Sequence, residues 1–84
     1  MKALVIGGSS WDSLIHVDTI NEIQDDMALW ADSVVDTVGG TGAGKALCLD
    51  SLGNEVTFIT DIALDEKGKK ILNYFSKTSI HLIR

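Results

Sequence analysis

Residues Gly39-Gly40-Thr41-Gly42-Ala43-Gly44-Lys45-Ala46 put four glycines into six consecutive positions, directly before a helix-like run. So little side chain there lets a ligand approach main-chain N–H groups closely at a helix start. One chemistry this suggests is a phosphate loop, G-x-x-x-x-G-K-[ST]. Gly39, Gly44 and Lys45 fall in register with it, but Ala46 stands where the loop needs a hydroxyl for Mg²⁺. A dinucleotide fingerprint fails too. Gly40-x-Gly42 would need its third small residue at Lys45, and Gly42-x-Gly44 would need it at Leu47. The plain alternative is a tight turn leading into a helix.

Other reactive residues are sparse. Cys48 is alone among apolar neighbours, which rules out a disulfide framework and predicts a buried, inert thiol. His16 and His81 are far apart and lack carboxylates at metal-ligand spacing, and Asp25-Asp26 reads as a solvated loop. No metal ligand is assigned. Asp12 follows a glycine-containing turn, where an aspartate is by default a turn residue.

These residues must be positioned by a small domain. With 84 residues the chain is marginal for burying a core of its own. A net charge of −5, with no basic cluster beyond Lys67, Lys69 and Lys70, argues against nucleic acid as a partner. The apolar run at Ala3–Ile6 is too short for a signal peptide or a membrane span, so the cytoplasm is the expected location and no membrane partner is expected.

Leu4-Val5-Ile6, ended by Gly7-Gly8, reads as a strand buried on both faces of a parallel sheet. Ser13 to Ile20 alternates as a half-exposed strand, Asn21 to Asp26 is a polar connection, and Met27 to Val38 reads as a second arm strand. A helix beginning at Thr41 or Gly42 is apolar nearly all round and is expected to be mostly buried, with Gly53-Asn54 as its stop. Glu55 to Thr60 is a second core strand. Asp65 caps a second helix whose stripe is Leu64, Gly68, Ile71, Leu72 and Phe75, and Ile80 to Ile83 begins a third strand. Strands alternating with helices call for a parallel α/β sheet built from right-handed crossovers. The two arm strands, having no helix between them, are expected to project from it. The chain reads as the beginning of something larger.

In that order these segments resemble the N-terminal part of the ribokinase-like (PfkB) carbohydrate kinases, over the whole chain. The matches are the strand closing in Gly8-Ser9-Ser10-Trp11-Asp12, the two-strand excursion, Gly39 to Ala46, Leu52-Gly53-Asn54-Glu55-Val56-Thr57-Phe58-Ile59, and Ala63-Leu64-Asp65-Glu66-Lys67-Gly68. Gly44 stands where the family has Asn, Ala63 where it has Gly, and Asn21 to Asp26 replaces a Pro-Gly stretch.

The resemblance implies an incomplete three-layer α/β/α sandwich with a β-lid at about 13–20 and 27–38. It implies phosphoryl transfer from ATP, with Mg²⁺, to a hydroxyl of a sugar or similar small molecule. Substrate binding falls to Asp12, Gly39, Gly40 and Gly44, and the lid strands can pair two subunits. The family's catalytic aspartate and anion hole come late in its chain and match nothing in these 84 residues. No catalytic residue is therefore assigned, Lys45 reads as a helix-start lysine, and the segment alone is expected to be inactive. Non-catalytic alternatives are a small-ligand or protein-interaction module and, less favoured, a phosphate-loop nucleotide binder.

Overall fold

A computed structural model describes residues 1–17 and 31–84. The Asn21 to Asp26 connection, Trp30 and the inner ends of both arm strands lie outside the described residues.

Five strands and two helices follow one another: β1 (Lys2–Ile6), β2 (Ser10–His16), β3 (Ser33–Gly39), α1 (Thr41–Ser51), β4 (Glu55–Ile59), α2 (Glu66–Ser76) and β5 (His81–Ile83). β1, β4 and β5 form a parallel sheet in that order, with Val5 beside Phe58 and Phe58 beside Leu82. Each crossover adds its strand on the same side of the last, so right-handed connections put both helices on one face. The core forms there, from Val5, Val56 and Phe58 of the sheet, Ala43 and Ala46 of α1, and Ile71 and Phe75 of α2. Phe58 and Phe75 meet with ring centroids 5.6 Å apart. Burying a side chain of that size contributes roughly 1.5–3 kcal/mol.

The opposite face of the sheet is open. Leu4 and Ile6 are 62% and 72% exposed, which corrects the expectation of a strand buried on both faces. One covered face follows from crossovers that all run in one direction. The same geometry corrects α1. Only Gly42, Ala43 and Ala46 are buried, whereas Cys48 and Leu52 are exposed, because the helix has a single neighbouring layer. An apolar circumference did not mean burial all round. Cys48 instead lines a groove with Leu4, Ile6, Lys45 and Leu49.

The helix ends follow the expected chemistry. Gly53, at φ 90°, stops α1: its N–H reaches the Asp50 carbonyl at 3.0 Å and the Asn54 N–H reaches that of Leu49 at 3.2 Å. Asp65 caps α2, its carboxylate accepting from the Gly68 N–H at 2.7 Å. Gly68, Ile71 and Phe75 form the buried stripe. Leu64 does not join it; it precedes the cap and is 88% exposed. A Cβ on Gly68 would overlap the Ala63 carbonyl oxygen, so the glycine lets the turn before α2 lie directly on the helix.

β2 and β3 form an antiparallel sheet of their own, separate from the central one. Their ladder runs from Ser10 opposite Gly39 to His16 opposite Ser33. It begins three residues earlier than the alternation at Ser13 suggested, and β3 starts at Ser33.

Candidate functional site

The hairpin leaves the body where several carboxyl-terminal strand ends meet a helix start. β1 runs out through Gly7 and Gly8, whose backbone still belongs to the sheet: the Gly7 N–H donates to the Ile59 carbonyl at 3.1 Å. α1 opens against this turn. Its Ala43 N–H donates to the Gly8 carbonyl at 3.1 Å, so a backbone oxygen satisfies one of the helix's unpaired donors and no side chain caps it. A Cβ on Gly42 would come within 2.7 Å of Gly7. Gly40 has φ 97°, and a Cβ there would stand 2.8 Å from the Gly8 oxygen. Both glycines are therefore required by close approach, and Gly40 by its backbone conformation as well.

Just after β4, Thr60 is buried, and its hydroxyl shares a 2.9 Å hydrogen bond with that of Ser9. Gly7, Gly8, Thr60 and Asp61 line a shallow pocket of about 260 Å³ here. On the other side of the hairpin base, Ser9, Trp11, Asp61, Asp65 and Arg84 border a wider cleft of about 720 Å³.

Asp12 lies on β2, two residues after Ser10 and on the same face of the strand. The Ser10 hydroxyl donates to Asp12 Oδ1 at 2.7 Å. The other carboxylate oxygen, Oδ2, occupies the space a Cβ on Gly39 would fill. Asp12, Gly39 and Gly40 thus come together as expected. Gly44 sits one helical turn on, its N–H donating to the Gly40 carbonyl at 2.9 Å, and a Cβ there would meet no atom within 4 Å.

Gly39 also makes room for the Asp12 carboxylate. Sequence reasoning also passed over Ser10 and Thr60. Ser10 had a signal, since residues two apart on a strand share a face. Thr60 had none, because its partner Ser9 is distant in sequence.

The phosphate-loop reading is overturned by the helix start. Such a loop places Gly and Lys at its mouth, but α1 already begins at Thr41 and carries Gly44 and Lys45 within its turns. Among the described residues no three His, Cys, Asp or Glu cluster to hold a metal ion. No described helix is long and apolar enough to cross a membrane.

No protein-family model matches the chain. A ribokinase from Dictyostelium discoideum is 29% identical over 77 residues, which is 92% of this chain and 24% of that protein. Among solved structures, a microbiome-derived acarbose kinase superimposes with a TM-score of 0.84 at 28% identity, over 96% of this chain and 27% of its own. A carbohydrate kinase from Agrobacterium tumefaciens gives 0.71 at 26% identity, over 98% and 26%. The chain spans about a quarter of the length of each. By sequence and by fold, the chain is similar to the N-terminal portion of ribokinase-like (PfkB) carbohydrate kinases and shares that portion of their α/β fold.

Proposed function

We propose that residues 1–84 form the N-terminal segment of a single ribokinase-like domain, supplying the sugar-binding side of an ATP-dependent carbohydrate kinase with β2 and β3 as its lid. The observation that carries this reading is the Asp12 carboxylate, held by Ser10 over Gly39 beside the start of α1. Ligands of parallel α/β sheets bind outside the carboxyl ends of the strands. An acceptor-only group fixed there suits a polyol, whose adjacent hydroxyls both donate to it. The sugar kinases to which the chain is similar support the same substrate class.

In this reading Asp12 orients the substrate, Gly40 brings the main chain close to it, and Gly44 leaves the adjoining helix surface without a side chain. ATP with Mg²⁺ is the phosphoryl donor and the cytoplasm is where the reaction runs. The donor site and the catalytic base belong to sequence that these 84 residues do not match, and the chain by itself transfers no phosphoryl group. Sugar-dependent ADP release by the purified chain would contradict that last point.

The test of the site is Asp12→Asn in the kinase that carries this segment. It should lower kcat/KM for the sugar about tenfold to a hundredfold, the loss of roughly 1.5–3 kcal/mol for a bond to a charged group, with Tm nearly unchanged. A variant that loses stability but keeps its kinetic constants would mean Asp12 is only a turn residue.

A second reading, a non-catalytic interaction module, is favoured by one observation: Leu14, Ile15, Val34 and Val35 are all exposed on the hairpin. The same exposure fits a lid that pairs with that of a second copy, which we propose as the protein's self-association.

A further inference from the structure

The base of the hairpin shows how the candidate sugar ligand is held, and from that what it selects. Ser10 Oγ lies 2.7 Å from Asp12 Oδ1, in the range of hydroxyl-to-carboxylate bonds. Ser10 stands opposite Gly39 in the ladder, and Asp12 stands opposite Thr37 on the same face. A Cβ on Gly39 would overlap Asp12 Oδ2 and approach Ser10 Oγ to 3.0 Å. The carboxylate is therefore tied on one side and given room on the other. One oxygen is tied to Ser10, and the other is seated over a backbone without a side chain.

The fixing has a chemical consequence. A serine hydroxyl has one proton, and Ser10 gives its proton to Asp12. What Ser10 then offers outward is lone pairs, and an ionised carboxylate offers nothing else. We propose that Ser10 and Gly39 are positioning residues that hold Asp12 as part of an acceptor-only edge, which selects neutral polyols that donate hydroxyl protons and rejects sugar acids. The proposal rests on the reading of Asp12 as a substrate ligand but makes a separate claim about what sets its geometry. A carboxylate-bearing ligand would bring acceptors against acceptors and a second negative charge against Asp12.

Two measurements separate this proposal from the reading it rests on, the first on the isotope-labelled chain and the second on the kinase that carries this segment. The first needs no ligand. Three-bond couplings to the Asp12 Cβ protons report its χ1 rotamer. One rotamer is expected in the wild type, averaging in Ser10→Ala, recovery in Ser10→Thr, and a displaced rotamer in Gly39→Ala. Averaging already in the wild type, or no change in either Ser10→Ala or Gly39→Ala, would overturn the positioning roles whatever binds.

The second measurement titrates D-ribose, D-fructose and D-glucose, each beside a sugar acid of the same carbon number. The neutral sugars that bind should weaken about tenfold in Ser10→Ala, the equivalent of one hydrogen bond, and recover in Ser10→Thr. The acids should not bind. Acids binding as well as their neutral partners would overturn the selectivity. If the couplings behave as expected but no sugar binds the wild type, the sugar-site reading fails and the selectivity fails with it, while the positioning roles stand.

Discussion

The body and the hairpin of this molecule use similar residues to different ends. In the body, Val5, Val56 and Phe58 face two helices and disappear from solvent, so apolar side chains there are spent on stability. In the hairpin, Leu14, Ile15, Val34 and Val35 remain between 54% and 61% exposed. Leu14 pairs with Val35 and Ile15 with Val34, so both faces of the two-stranded sheet carry apolar pairs in solvent. A lone hairpin is marginal in water. This one is anchored at its base, where Val38 is buried and Trp11 lies partly buried with the Lys70 ammonium 5.9 Å from its ring centre. The candidate site sits at that anchored base, between the part that is packed and the part that is not.

The sharpest test of the contrast is truncation in the body. Phe75→Ala removes a ring that is fully buried against Phe58 and Tyr74. It should cost about 3–5 kcal/mol, a large share of the roughly 5–15 kcal/mol typical of a domain. Chemical denaturation followed by far-UV circular dichroism would show the loss. A cost below about 1 kcal/mol, the ordinary size of a surface change, would mean that this face is not the core.

Next come the glycines that close approach demands. Gly42→Ala would push a methyl into the Gly7 backbone and Gly68→Ala into the Ala63 carbonyl. Each should destabilise by about 1–3 kcal/mol, the usual cost of overpacking. Thermal melts that rise instead, as they do when alanine replaces an unconstrained helical glycine, would show that the turns can move away from the helices.

The sequence made the body legible for a physical reason: its elements are local. Strand runs, helix stripes and the Asp65 and Gly53 caps are decided by neighbours a few residues apart. What stayed hidden depended on distant partners. Leu4 and Ile6 read as buried because the pattern shows an apolar residue but not how many layers flank it. Cys48 and Leu52 misled for the same reason. At the site, the glycine run and Asp12 were visible as types, and their meeting came from the resemblance. The seat of Asp12 over Gly39 was not visible, because it depends on the register of two strands, the first of which starts three residues before its alternation suggested.

A smaller effect is expected at Gly44. It faces open space one turn beyond Gly40, so a longer side chain can be built there without collision. Asn there would supply the amide that ribokinase-like kinases carry at this position and bring a donor and an acceptor to the candidate site. Calorimetric titration of sugars should show tighter binding by about 0.5–1.5 kcal/mol for each hydrogen bond made. Helix propensity adds a few tenths of a kcal/mol to stability in the same direction. Equal affinities across a panel of sugars would mean that this turn of α1 lies outside the site.

The smallest expected effect decides what the hairpin is for. Ile15→Ser and Val34→Ser replace a cross-strand apolar pair that is mostly in solvent, so the stability of a monomer should move by no more than about 0.5 kcal/mol apiece. Such a near-zero change is informative because the same residues would dominate an interface. If two copies bury these faces against each other, the pair becomes its apolar centre, and the double variant should shift sedimentation from dimer to monomer while leaving the melt of the monomer in place. A large loss of monomer stability would instead show that the hairpin packs within its own chain. In that case the contrast between the two regions would be one of degree, and the exposed pairs would be no guide to a partner.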